Sequence, residues 1–194
     1  VQEQFNRADQ LDKERKTTVG FALTILQRRL ASSPEAIYQS LRRRRERMEQ
    51  RLAEEQIGRR AMAYSISASD DDDDDLSAAE MEDTEERVVD QASAAQTVAE
   101  LDAEIRMLKD LEHMADSVRQ SGTDRKWDEL SKLLQDDATM FEGDGTREKL
   151  IIFTEHRDTL RYLTDKIRSL LGREEAVVTI HGGMLRDDRR KVEE

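Results

Sequence analysis

The chain has 194 residues, of which 39% are charged and 4% aromatic, so the apolar supply is thin for one compact core. It contains no cysteine, which excludes disulfides and thiolate metal sites. No stretch approaches the roughly 18 apolar residues of a membrane span, and no signal peptide is visible, so we expect a cytoplasmic protein with no membrane partner.

The net charge of -12 conceals a division along the chain. Residues 1–60 carry 14 basic and 9 acidic side chains, a balance of +5. Residues 61–146 carry 7 basic and 25 acidic side chains, a balance of -18, and residues 147–194 are near neutral at +1. Because the acidic middle is flanked by parts that a polyanion can approach, the charge distribution leaves nucleic acid open as a partner.

Two helices are predicted at the start of the chain. A first helix is predicted over 6–31, because apolar residues from Leu11 to Leu30 recur at helical spacing along one face. Ser33 is a typical N-cap, and Pro34 and Glu35 are typical of a first turn, so a second helix is predicted over 34–60.

The second helix carries a basic run, Arg42, Arg43, Arg44 and Arg45, which spans more than one helical turn. One interpretation is a solvated helix whose arginines pair with acidic neighbours such as Glu46. The other is phosphate contact by two or three of these arginines. Spacing alone does not choose between the two.

The chain loses periodicity over about 65–79, where Asp70–Asp75 form a run of six aspartates. Like charges at this density repel each other and favour a disordered, solvated loop. An ordered calcium loop needs interspersed glycine and a distal glutamate, so we expect no metal site here. By its charge, the loop either keeps the adjoining helices away from a nucleic acid or binds a basic protein partner.

Residues 80–120 show the longest regular pattern, a three-four alternation of apolar side chains typical of a coiled-coil-like seam. Pairing this helix with the helix over 34–60 buries both apolar stripes in an antiparallel hairpin. We therefore expect residues 1–121 to form a helical projection that contains the acidic loop.

Residues 122–194 show a different pattern. A helix is predicted over 124–134, with Trp127 packing it onto an adjacent sheet. Apolar runs at 149–153 and 177–180 read as buried strands on either side of a helix over 159–171. Strand, helix and strand in this order predict a βαβ unit with parallel strands, so the predicted fold class is mainly α with a partial α/β unit.

Polar residues follow both predicted strands. The first strand ends in Thr154, Glu155 and His156, and the second in His181 and the pair Gly182–Gly183. Ligands of open parallel sheets bind beyond such strand ends. The glycines fit either a simple tight turn or, with a helix that starts nearby, an anion site. A metal site built on the two histidines lacks its remaining ligands, and the phosphate-loop pattern G-x-x-x-x-G-K-[ST] is absent.

Two of these stretches carry a family resemblance. Residues 149–160 (KLIIFTEHRDTL) and 179–190 (TIHGGMLRDDRR) resemble the opening of the second RecA-like lobe of superfamily-two helicases. More narrowly, they are similar to bacterial Swi/Snf-type ATPases, including helicases of phage-defence systems of the DISARM kind. Residues 17–34 look like the helical part that joins the two lobes in that group. The resemblance covers about 5–60 and 122–194.

The resemblance implies that 1–121 is an interlobe helical insertion and that 122–194 is the first part of a P-loop NTPase-type lobe. The chain would then be a fragment of an ATP-dependent DNA helicase or translocase. It also implies that Thr154, His156, Gly182 and Gly183 contact the DNA backbone.

By the same resemblance, the parent protein binds ATP and Mg²⁺ between its two lobes. The phosphate loop, the acidic box and the arginine finger of these enzymes have no counterpart in this chain. We therefore expect the fragment to hold no catalytic residue, to bind no cofactor and to be inactive alone.

Two rival interpretations remain. The first is a non-catalytic interaction module, in which the helical hairpin binds a protein and the α/β part is its base. The second is an unrelated α/β enzyme whose strand ends only mimic the helicase motif.

Overall fold

A computed structural model describes residues 13–61, 84–85, 89, 97–136, 140–141 and 145–193 of the chain. Their backbone is mainly helical, as predicted, and contains no β-sheet. The helices are α1 (Lys13–Ser32), α2 (Pro34–Ala61), α3 (Val98–Ser121), α4 (Arg125–Gln135), α5 (Arg157–Leu171) and α6 (Arg186–Glu193), with a 3-10 turn at Glu174–Ala176. None of these helices is long and apolar enough to cross a membrane.

Local capping signals set the ends of the helices. The amide of Ala36 donates to the hydroxyl of Ser33 at 3.0 Å, so Ser33 caps α2 as predicted. Thr97 and Glu100 form a reciprocal capping box at the start of α3. The helix ends at Gly122, whose φ of 69° is left-handed, and Asp124 accepts from the first amides of α4.

The main apolar core lies between α1, α2 and α3. Its buried members are Ala22, Leu23, Ile25, Leu26, Ile37, Leu41, Met48, Val89, Leu101, Ile105 and Leu108. One prediction for α1 is wrong in detail. Leu30 was expected on the apolar face but is exposed, while its neighbour Arg29 is buried.

Helices α2 and α3 run antiparallel, which is the pairing that their apolar stripes predict. Three cross-helix ion pairs follow this direction: Glu35 with Arg119 at 3.4 Å, Arg45 with Glu112 at 2.5 Å, and Glu49 with Lys109 at 2.8 Å. We call α2 and α3 together the helical hairpin.

A second, smaller apolar cluster joins α4 to α5. Leu134, Met140 and Ile167 are its buried members, and the half-buried Trp127 packs against them. Trp127 therefore packs α4 against α5, whereas the sequence predicted that it would pack against a sheet. Among the described residues, no side chain belongs to both apolar clusters.

The predicted βαβ unit does not appear in the described residues. The segments 148–154 and 177–181 flank α5 and are not helical, but neither pairs in a β-ladder. In this part of the chain the bridge between Phe141 and Arg147 is isolated and antiparallel. A β-strand is stabilised by hydrogen bonds to neighbouring strands, and two short runs do not make a stable sheet by themselves.

Large apolar side chains of these segments remain exposed. Ile151 is 75% exposed and Phe153 is 91% exposed, and Leu150, Ile152, Val178 and Ile180 are also exposed. The two segments are therefore apolar, as buried strands require, but their apolar side chains are exposed rather than buried.

Several predictions lie outside the described residues. These are the acidic loop over about 65–79 with Asp70–Asp75, the first residues of the helix predicted over 6–31, and most of the 80–96 part of the helix predicted over 80–120.

Candidate nucleic-acid interface

Each of the two predicted polar ends lies directly before a helix. The stretch Thr154 to His156 leads into α5, and the turn after His181 leads into α6. Helix N-termini carry partial positive charge and favour anions. Both helices also carry aspartate in their first turn, which offsets this field.

Thr154 is half-buried beside a cleft of about 510 Å³. The end of α1, the start of α4 and the first turns of α5 enclose this cleft. Its lining includes Ser32, Trp127, Phe153 and Tyr162. The hydroxyl of Tyr162 donates to Asp124 at 3.0 Å, and burial, followed by this hydrogen bond, raises the pKa of Tyr162.

His156 is only 2% exposed and holds the position before the first turn of α5. Its carbonyl accepts from the amide of Leu160 at 3.0 Å, which starts the helix. Its Nε2 lies 3.8 Å from a carboxylate oxygen of Glu155. A ring buried to this extent does not present its nitrogens to a surface ligand, so His156 supports the start of α5 in this structure.

The turn at Gly182–Gly183 is exposed and closed by its own neighbours. The amide of Gly183 donates to Nδ1 of His181 at 3.2 Å, and the carbonyl of Gly182 accepts from Arg189 at 2.9 Å. The left-handed glycines of the described residues are Gly122, Gly145 and Gly172. Gly182 and Gly183 therefore do not serve the turn through a left-handed backbone. Their contribution is that glycine has no side chain.

The predicted DNA contacts Thr154, Gly182 and Gly183 do not line a common cleft in the structure. A groove of about 1040 Å³ is lined by Thr154 and Ile152 on one side and by Val178 and Thr179 on the other. Gly182 and Gly183 line neither this groove nor the smaller cleft beside Thr154.

The four consecutive arginines of α2 point in different directions. Arg42 is exposed and pairs with Glu46 one turn ahead at 2.9 Å, and this hydrogen bond raises its pKa. Arg45 contacts Glu112 across the helical hairpin and Glu49 on its own helix, and the bond to Glu112 is the main reason that its pKa is raised.

The two central arginines, buried Arg44 and half-buried Arg43, each pair with a carboxylate of another helix. Arg44 is buried and donates to Glu104 at 2.9 Å; burial lowers its pKa, and the carboxylate opposes this shift. Arg43 donates to Asp158 of α5 at 2.7 Å. Of the four residues predicted as phosphate contacts, Arg42 is thus the most accessible.

Sequence reasoning missed a polar contact between the start of α5 and the corner at which α1 meets α2. Asp158 accepts from Arg43 and lies 4.0 Å from Arg29, which is 1% exposed and donates to Ser40 at 2.7 Å. We call these residues, together with three neighbouring hydroxyl residues, the polar joint. Its members are Arg29, Ser32, Ser33, Ser40, Arg43, Asp158 and Thr159.

Hydroxyl groups complete the polar joint. The hydroxyl of Thr159 lies 2.7 Å from that of Ser32 and 2.9 Å from that of Ser33. Thr159 and Ser33 are both buried. In the sequence, the only local sign of this contact was a pair of polar residues immediately before α2, Ser32 and Ser33, and another at the start of α5, Asp158 and Thr159. Such pairs also fit ordinary helix capping.

No family model, curated protein or solved structure matches the chain. Within the described residues, no three histidine or carboxylate side chains are grouped so that they could hold a metal ion.

Proposed function

We propose that the chain is part of an ATP-dependent DNA helicase or translocase of the Swi/Snf-like class and contributes contacts to the DNA backbone. The observation that supports this most is the repeated arrangement at 149–160 and 179–190. In each stretch an apolar, non-helical run ends in small or polar residues within a few residues of the start of a helix. These are the two stretches that resemble the second lobe of superfamily-two helicases.

The exposed apolar side chains fit the same proposal. Ile151 and Phe153 on one segment, and Val178 and Ile180 on the other, are what two neighbouring core strands of a RecA-like lobe need. In the proposal, 149–153 and 177–180 are those strands. The proposed protein binds ATP and Mg²⁺ elsewhere, and we assign no contact with either to the residues of this chain.

Thr154 and the Gly182–Gly183 turn are the proposed DNA contacts. The threonine hydroxyl donates to a phosphate oxygen, and the absence of side chains lets a phosphate approach the glycine backbone. His156 was expected to contact DNA directly; because it is buried, we assign it the role of holding Thr154 at the start of α5. Arg42 is the proposed contact on α2.

Fluorescence anisotropy with duplex DNA at several salt concentrations tests the contacts. Thr154→Ala removes one hydrogen bond, which is worth about 0.5–1.5 kcal/mol, so we expect DNA affinity to fall about 2- to 10-fold. Thr154→Ser keeps the hydroxyl and is the matched control. Equal affinity of the alanine variant and the unaltered chain would remove Thr154 from the interface.

The charge contact gives a separate readout. Arg42→Gln removes one cation, so the slope of log affinity against log salt becomes shallower by about 0.9 if Arg42 touches a phosphate. Arg51 pairs with Glu55 on the same helix, as Arg42 pairs with Glu46, and Arg51→Gln is the matched control. Identical slopes for the two variants would contradict the role of Arg42.

A second candidate function is a protein-interaction module. Met114 and Val118 lie one turn apart on α3 and are both exposed, as the contact stripe of a helical partner would be. DNA binding separates the two candidates. If the unaltered chain does not bind duplex DNA at low salt, the interaction module is the better account.

A further inference from the structure

The helical hairpin and α5 meet through polar groups. In the part of the chain that the structure describes, the apolar cluster of α1, α2 and α3 contains no residue of α5, and the cluster of α4 and α5 contains no residue of α2. Between them lies the polar joint, in which Arg43 and Thr159 make contacts at 2.7–2.9 Å. Outside the joint, Lys126 of α4 donates to the carbonyl of Ser32 at 3.4 Å, and Arg28 of α1 pairs with Glu155. The two units are therefore connected by directional bonds rather than by a shared apolar core.

Because the polar joint is buried, breaking any one of its bonds costs more free energy than breaking the same bond at the surface. Arg29, Ser33 and Thr159 are each at most 4% exposed, and Asp158 is 9% exposed. A buried charge that loses its partner keeps the cost of desolvation, and a buried hydroxyl without a partner is also unfavourable. The joint is therefore stable when all its contacts are made and is weakened as a whole when one is removed.

We propose that the polar joint is a conformational lock, which fixes the orientation of the helical hairpin relative to α5. Because neither apolar cluster crosses the joint, opening it releases the hairpin while both clusters remain folded. α5 begins three residues after Thr154, so the lock also connects the hairpin to the end of the segment proposed to contact DNA. The lock itself does not depend on that proposal.

Distance measurements by pulsed electron paramagnetic resonance test the lock. The chain contains no cysteine, so Gln56→Cys on α2 and Arg161→Cys on α5 give two unique nitroxide positions, both exposed. With the lock intact, we expect one narrow distance distribution in the 194-residue chain. Asp158→Asn keeps the shape of the side chain and removes its charge, and we expect the distribution to become at least twice as broad.

Arg42→Gln is the matched control. It removes one charge from α2 at the position next to Arg43, the ion-pair partner of Asp158, but the partner of Arg42 is Glu46 on the same helix. We expect this variant to keep the narrow distribution, and circular dichroism of every variant to show unchanged helix content. If Asp158→Asn loses helix content, Thr159→Val, which removes only the hydroxyl contacts, is measured in its place.

Three results would overturn the proposal. The first is a distribution as narrow in the folded joint variant as in the unaltered chain. The second is a distribution that is already broad in the unaltered chain. The third is equal broadening by Arg42→Gln. Since no DNA is present in this experiment, its failure does not affect the proposed DNA contacts, and their failure does not affect the lock.

Discussion

Arg44 of α2 donates from Nη2 to Oε1 of Glu104 on α3 at 2.9 Å, and only 8% of either side chain is exposed. This buried ion pair lies inside the helical hairpin. Removing one partner takes this ion pair away from the other charge, which stays buried. We therefore expect Glu104→Leu alone, or Arg44→Met alone, to lower the free energy of unfolding by about 3–5 kcal/mol.

The double variant Arg44→Met, Glu104→Leu separates two contributions, which are the loss of the ion pair and the cost of burying a charge that has lost this partner. With both charges replaced by apolar groups, we expect most of the lost stability to return, because a buried pair is often no better than apolar packing. Urea unfolding followed by circular dichroism measures all three variants. A double variant as unstable as the worse single variant would show that the pair itself stabilises the hairpin.

Tyr162 gives a prediction for alkaline pH. Burial and the hydrogen bond to Asp124 raise the pKa of Tyr162 above its usual value of 10.0. A raised pKa in the folded state means that its contribution to stability is complete below pH 10 and is lost as the pH rises further. In a titration of absorbance at 295 nm, we expect Tyr162 to ionise above pH 10.

The variant Tyr162→Phe assigns that ionisation step. We expect it to remove an ionisation step that lies above pH 10. If the step that disappears lies at or below pH 10, the environment described for Tyr162 is wrong.

The capping box at the start of α3 gives a small, well-defined effect. The hydroxyl of Thr97 accepts from the amide of Glu100 at 3.2 Å. Thr97→Ala removes this acceptor, and we expect a loss of about 1 kcal/mol in thermal or urea unfolding. Thr97→Ser should keep nearly full stability. If the serine variant is as unstable as the alanine variant, the hydroxyl is not the stabilising group.

The exposed apolar segment before α5 gives a prediction about association. Ile151 and Phe153 form an uncovered apolar run on backbone that pairs in no ladder within the described residues. Such segments promote edge-to-edge pairing and aggregation. We expect the chain to self-associate with rising concentration and the double variant Ile151→Lys, Phe153→Lys to do so less, as measured by sedimentation velocity. Exposed Leu185, changed to Lys, is the control.

Local signals in the sequence predict most of the helical architecture. Ser33 before Pro34, Gly122 at the end of α3 and Asp124 before α4 all act within one turn, so a sequence pattern contains nearly all that is needed. The buried stripes of α2 and α3 follow for the same reason, because helical periodicity fixes which side chains share a face.

The remaining features depend on distant residues. The runs at 149–153 and 177–180 are apolar enough for strands, but a strand also needs neighbours, and periodicity does not supply them. Asp158 pairs with Arg43 across 115 residues of sequence, and no local pattern connects them. Successive helical residues point about 100° apart, so Arg43 and Arg44 face inward while Arg42 stays at the surface.

The length of α2 gives its contact with Asp158 a mechanical consequence. From Arg43 to Ala61 the helix extends about 27 Å at about 1.5 Å per residue. A rotation of about 10° around the joint therefore displaces the far end of the helix by about 5 Å, roughly one helical turn. If the polar joint opens, such a rotation would therefore move the tip of α2 far enough to make or break contact with another molecule.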